Sequence, residues 1–185
     1  MTDPTPKPAA PKPAVPKPDA RKPDAPKPDT PKPDASGRRR MRSAARLYAV
    51  QALFQMEAAG QGADQVAREF ETHRFGAIYD DDEMAEGDTG LFRQILAEAV
   101  NWQAKIDQAT DRALIAAWPI DRIDPVLRAL FRAAGAELVA TQTPPRVVIT
   151  EFVEIAHAFF PDGREPKFVN AVLDHMARET RPEAF

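Results

Sequence analysis

Arg38-Arg39-Arg40-Met41-Arg42-Ser43-Ala44-Ala45-Arg46-Leu47-Tyr48-Ala49-Val50-Gln51-Ala52-Leu53-Phe54 carries the spacing of one amphipathic helix. At about 100° per residue, Ala45, Tyr48, Ala49, Ala52, Leu53 and Met56 fall in a single arc, which is the face a helix buries. The helix is expected from about Arg40 to Glu57, with Gly60 and Gly62 punctuating its end. Five arginines crowd the nine residues Arg38–Arg46 at its head, so a hydrophobic stripe and a dense cationic head share one element.

The same 3.6-residue period continues outward from this helix. A second helix is expected over roughly Asp64 to Arg74, burying Val66 and Phe70, with Phe75 beside them. Asp80-Asp81-Asp82-Glu83 reads as a solvated acidic loop. It lacks the spaced ligands and turn glycine that a calcium loop needs. From Asp88 or Thr89, the stripe Leu91, Ile95, Trp102, Ile106, Ala109 and Ala113 predicts one long helix stopping near Trp118-Pro119. Asp124 then offers an N-cap, with Pro125 in the first helical position, where its missing N–H costs nothing. Leu127, Leu130, Phe131, Ala134 and Leu138 carry that helix to Thr141, and Pro144-Pro145 closes it. Val148, Phe152, Ile155 and Phe159 mark the next helix, and Phe168, Val169, Val172, Leu173 and Met176 the last. No stretch sustains period-two alternation. The expected fold class is therefore all-α, a compact bundle of about six or seven helices.

Residues 1–37 have a different composition. Pro-Lys-Pro recurs at five-residue steps, and 12 of the 19 prolines lie here. Such a segment lacks the apolar surface to offset ordering entropy, so a disordered, polyproline-II-rich tail is expected ahead of a domain at 38–185. A spacer or an SH3-type ligand would both suit it. Charge is also unevenly placed. The chain has a formal net charge of −3: the tail carries +2, Arg38–Arg46 carries +5, and 47–185 carries −10. An acidic body with one basic end calls for an anion there, and nucleic acid is the commonest large one.

Catalytic signatures do not appear. There is no Gly-rich phosphate loop, Gly-x-Ser-x-Gly or His-Glu-x-x-His. Without cysteine there is no thiolate nucleophile or thiolate zinc site. His73, His157 and His175 stand far apart in sequence, and Glu151 and Glu154 read as a solvated helix face. The expectation is a non-enzyme with no catalytic residues, cofactor or metal. The chain has no bilayer-length apolar run and no secretory h-region, so the expected location is cytoplasmic, with no membrane partner.

Binding remains. Arg42 and Arg46 stand one turn apart and could reach successive phosphates. Gln51 and Phe54 lie off the core arc, near Arg40 and Leu47. An aromatic, an amide and arginines together suit single-stranded RNA, which offers bases to stack and edges to bond. Spacing alone leaves two other options open: Phe54 in a satellite cluster under another helix, and the arginines docked on duplex DNA or an acidic protein.

Positions 42–55, Arg-Ser-Ala-Ala-Arg-Leu-Tyr-Ala-Val-Gln-Ala-Leu-Phe-Gln, resemble the opening helix of the NusB transcription antitermination factors. The resemblance continues at Asp121–Arg128, Val148–Ala156 and Lys167–Asp174, in the family's order across about residues 38–182. It implies two three-helix subdomains and binding to single-stranded boxA-type RNA of nascent ribosomal RNA. It also implies pairing with the NusE ribosomal protein and entry into the RNA polymerase elongation complex. The RNA-binding residues it implies are Arg39, Arg40, Arg42, Arg46, Gln51, Phe54, Lys167 and Phe168. Phe54 stands where the family often has tyrosine, which keeps the stacking face and loses a hydroxyl. NusB-like domains also occur fused to RNA methyltransferases. Those need a second domain with a Gly-rich cofactor turn, and this chain ends at Phe185 without one. The alternative reading is a protein-interaction adaptor of the transcription machinery that makes no direct RNA contact. A partner face is expected on the middle helices, over Leu91–Asp111 and Asp121–Leu138.

Overall fold

Side-chain caps open three of the seven α-helices in the computed structural model, which describes residues 33–79, 82–114 and 119–185. Helix α1, Ala35–Ala59, begins where the Asp34 carboxylate accepts from the Gly37 amide at 2.7 Å. It stops at Gly60, whose φ of 65° is a left-handed conformation that favours glycine. Residues 33–37 thus lead into α1, so the 37/38 boundary read from composition falls inside a helix. The Pro-Lys-Pro repeats, apart from Pro33, lie outside the described residues. Helix α2 spans Ala63–His73.

The next stretch differs from the sequence expectation. Ile78–Tyr79 (β1) and Asp82–Glu83 (β2) pair antiparallel, with Ile78 opposite Glu83 and Tyr79 opposite Asp82. Asp82 and Glu83 are therefore strand residues, although Asp80 and Asp81 lie outside the described residues. This two-residue ladder leaves the all-α class intact. The predicted long helix is two helices, α3 Thr89–Asn101 and α4 Gln103–Ala113, joined at Trp102, where ψ is 12°. Asp88 caps α3 by accepting from the Leu91 amide. The break turns Trp102 outward: it is 42% exposed, its indole donates to Glu98 at 2.9 Å, and the Lys105 ammonium lies 5.2 Å from its ring. Trp118, the predicted helix end, lies outside the described residues.

Helix α5, Pro125–Ala140, starts as the sequence predicts, with Pro125 at its head and Asp124 accepting from the Val126 amide at 2.7 Å. Helix α6, Pro145–Phe159, and α7, Glu165–Thr180, complete the chain, with short 3-10 turns at Ile120–Arg122 and Pro182–Ala184. Pro145 opens α6 instead of closing α5.

Helices α1, α2 and α3 pack on one another, α5, α6 and α7 do likewise with α4 against α5 and α7, and α5 joins the two groups by packing against both α1 and α3. The centre of α5 is buried on nearly every side: Ala129, Leu130, Phe131, Ala133, Ala134, Ala136, Glu137 and Leu138 are all at most 2% exposed. Small residues let its neighbours come close. A Cβ on Gly135 would collide with Ile106 of α4 and lie 3.3 Å from Met176 Cε of α7. The α1 arc is buried as read, except that Met56 is half-buried and Val50, outside the arc, is fully buried. Tyr48 stacks on Phe75 at 4.8 Å beside Phe70 and Phe92, and its hydroxyl donates to the Ala85 carbonyl at 2.6 Å. No helix among the described residues is long and apolar enough to cross a membrane.

Candidate nucleic-acid interface

The predicted site residues on α1 divide by where the helix points them. Arg40, Leu47, Gln51 and Phe54 follow one another within about 60° of arc, by helical geometry. Arg40 and Phe54 are exposed, Phe54 at 40%, and Leu47 and Gln51 are half-buried. Gln51 and Phe54 line a groove of about 430 Å³ with Arg74 of the α2 end, Val126 of the α5 start and Phe159 of the α6 end. An aromatic ring, an amide and a guanidinium thus border one hollow. Arg74 lies over the Phe70 ring, 5.7 Å from its centroid.

Arg38, Arg39 and Arg42 line a second groove, of about 1130 Å³, with Arg146 of α6 and the α5–α6 connection forming its other wall. Arg42 and Gln51 are nine residues apart, so they project about 180° apart around α1. Arg38, Arg39 and Arg42 therefore serve the second groove, on the other side of the helix from Gln51 and Phe54.

Arg46 requires a correction. It is 2% exposed, so it does not present a cation to RNA phosphates. Its guanidinium holds the fully buried Glu137 of α5 bidentately, at 2.8 and 2.7 Å, and reaches Glu151 of α6 at 3.2 Å. Burial opposes its charge, but the hydrogen bonds and charges of Glu137 and Glu151 outweigh it and raise its pKa above the ordinary arginine value. Glu151 is corrected with it: its carboxylate also accepts from the Ser43 hydroxyl at 2.6 Å, so it belongs to the joint between α1, α5 and α6 and not to a solvated face. Glu154 is exposed as read.

Lys167 and Phe168 sit in the first turn of α7. Lys167 is exposed, and Phe168 is half-buried, its ring edge-on to Phe131 at 5.9 Å. Phe168 borders a third groove of about 780 Å³ with Arg122, Arg164 and Leu127. Val126 lines the Phe54 groove and Leu127 this one, so the two hollows flank the first turn of α5. The fold thus brings residues separated by more than 100 positions to neighbouring hollows. Arg74, Arg122, Arg146 and Arg164, which line these grooves, were not legible from sequence. Each is a lone arginine, and nothing in its spacing says which groove it borders.

A model of the NusB family matches residues 43–178. The chain belongs to the NusB family. It is 47% identical over 152 residues to the transcription antitermination protein NusB of Maricaulis maris, covering 82% of this chain and 94% of that one. The NusB protein of Agrobacterium fabrum is 46% identical over 144 residues, covering 77% and 87%. Among solved structures, T. maritima NusB superposes with a TM-score of 0.62 at 28% identity, covering 77% of this chain and 95% of that one. The fold is also shared, at 24% identity and a TM-score of 0.59, with a crystal structure of antitermination factors NusB and NusE in complex with dsRNA, over 74% and 96% of the chains. These matches agree with the all-α reading and with the family recognised in the sequence.

Proposed function

We propose that this chain is a transcription antitermination factor of the cytoplasm. It binds single-stranded boxA-type RNA of nascent ribosomal transcripts together with the NusE ribosomal protein, and joins the RNA polymerase elongation complex. It acts by binding and not by catalysis. The observation that carries this reading is the Arg40–Leu47–Gln51–Phe54 stripe on α1 of a NusB-family fold, with the Phe54 ring open to a base. Guanidinium groups hold phosphates, an exposed ring stacks a base, and an amide reads a base edge. The family relatives are named transcription antitermination proteins, and one neighbour in fold is a complex of NusB and NusE with dsRNA, which supports an assembly of the same proteins with RNA.

The partner face expected on the middle helices narrows. Leu127–Leu138 of α5 is largely interior, so docking falls to the outer side of α3 and α4, where Val100 is 49% and Trp102 42% exposed. A basic ribosomal protein gains long-range attraction from the acidic body.

The test is a titration of boxA-like and scrambled single-stranded RNA, with and without NusE. The boxA-like strand should bind more tightly, and NusE should tighten it further. RNA must then tighten NusE by the same factor. Equal affinity for both strands, or no coupling to NusE, would overturn the assignment.

A further inference from the structure

Five arginines elsewhere among the described residues are held by carboxylates. Arg93 holds Glu71, Arg112 holds Glu179, Arg128 and Arg132 share Glu57, Arg132 also takes Asp107, and Arg178 takes Asp174. The groove between the start of α1 and the start of α6 departs from this. Arg38 donates only to the Pro33 carbonyl, at 2.8 Å. Arg42 stands 3.8 Å from Asp88 and 3.5 Å from the Thr143 hydroxyl, both weak contacts. Arg39 and Arg146 make no side-chain hydrogen bond or ion pair among the described residues. Glu151 is the one carboxylate among the lining residues, and it is already taken by Ser43 and Arg46.

Four guanidinium groups on one groove repel one another, in a body whose −10 charge supplies carboxylates freely elsewhere. Such an arrangement is stabilised by an external anion. Guanidinium forks match phosphate oxygens, and Arg38 and Arg42, one turn apart, are separated by about 6 Å along the helix. The groove, at about 1130 Å³, is larger than a typical small-molecule site of about 300–1,000 Å³, so it suits a run of phosphates. It also lies on the side of α1 opposite Gln51 and Phe54.

We propose that this groove is a second phosphate track, which holds RNA flanking the segment that Gln51 and Phe54 read. Arg146 is its far wall, and the strand reaches it by passing around the exposed start of α1. The proposal rests on the RNA-binding reading above.

The experiment compares two RNAs: a short strand containing only the boxA-like segment, and the same strand lengthened by about ten unstructured nucleotides at each end. Wild-type protein should bind the longer strand more tightly and with a steeper salt dependence. Arg146→Gln should flatten that slope by about 0.7, the share of one single-strand phosphate contact, and weaken the longer strand several-fold. Arg146→Glu should weaken it further. Both should bind the short strand as wild type does, with unchanged melting temperature, because Arg146 is exposed. Phe54→Ala should weaken both strands. If Arg146→Gln weakens both strands equally, changes neither, or weakens only NusE binding, the second track is overturned. If Phe54→Ala changes neither strand while Arg146→Gln still acts on the longer one, the base-reading face fails and the groove stands.

Discussion

Replacing Arg46 by methionine separates a structural arginine from an RNA-binding one. Arg46 sits at 2% exposure and satisfies Glu137, which is 0% exposed, through two hydrogen bonds. Arg46→Met keeps most of the side-chain volume and leaves the Glu137 carboxylate in the core without its partner. Breaking a buried pair from one side costs about 3–5 kcal/mol, because the remaining charge has neither water nor a counter-ion. For a domain of this size about 2–4 °C of melting temperature accompanies each kcal/mol, so the expected drop is roughly 6–20 °C. Glu137→Leu added to Arg46→Met should recover much of the loss, since an apolar pair of similar volume is often neutral or better. Glu151, at 13% side-chain exposure, retains its Ser43 donor and some water. Urea denaturation and thermal melting measure the stability of the single and double variants. RNA titration below the melting range measures binding by the folded fraction, whose salt slope should match wild type. A stability loss under about 1 kcal/mol, with a salt slope flattened by about 0.7, would mean that Arg46 grips a phosphate. The buried-joint argument would then be refuted.

Three further outcomes are expected. Phe54→Ala should weaken RNA binding by about 1–3 kcal/mol with little change in melting temperature, because its ring is 40% exposed; a sharp loss of stability with normal RNA affinity would make it a packing residue. Gly135→Ala should destabilise by about 1–3 kcal/mol in urea titration, since its Cβ collides with Ile106 where α4, α5 and α7 meet, and overpacking exceeds the gain in helix propensity; a stabilised variant would contradict that close approach. The Arg128 hydrogen bond, only partly opposed by burial and aided by the charges of Arg128 and Arg132, lowers the Glu57 pKa. Its folded value lies below its unfolded one of about 4.3, so its contribution is complete above that pH and is lost as pH falls through the lowered folded value. The stability gap between wild type and Glu57→Gln should therefore narrow below about pH 4, and a gap constant from pH 7 to pH 3 would exclude this ion pair as its source.

The sequence by itself determined the features that depend on one helix at a time. Apolar spacing placed the faces of α1, α5, α6 and α7. Asp124-Pro125 and Gly60 marked helix ends through contacts within a few residues. The resemblance at positions 42–55, 121–128, 148–156 and 167–174 identified the family, and Gln51 and Phe54 were legible as outward residues from angle alone. Tertiary structure decided the rest. Angle placed Arg46 one turn from Arg42 and in reach of phosphates, but Glu137 waits for it 91 positions away and draws it into the core. Glu151 fell off its own helix's apolar stripe, yet that side of α6 meets Ser43 and Arg46. Trp102 fitted the stripe of a single straight helix, and the break between α3 and α4 turned it outward. Arginines 38–42 read as one cluster, whereas Arg38, Arg39 and Arg42 line a groove closed by α6 and Arg40 projects to the other side of α1. The physical reason is the same in each case. Periodicity fixes where a side chain points around its own axis, but whether that direction meets water, a carboxylate or another helix is set by long-range packing.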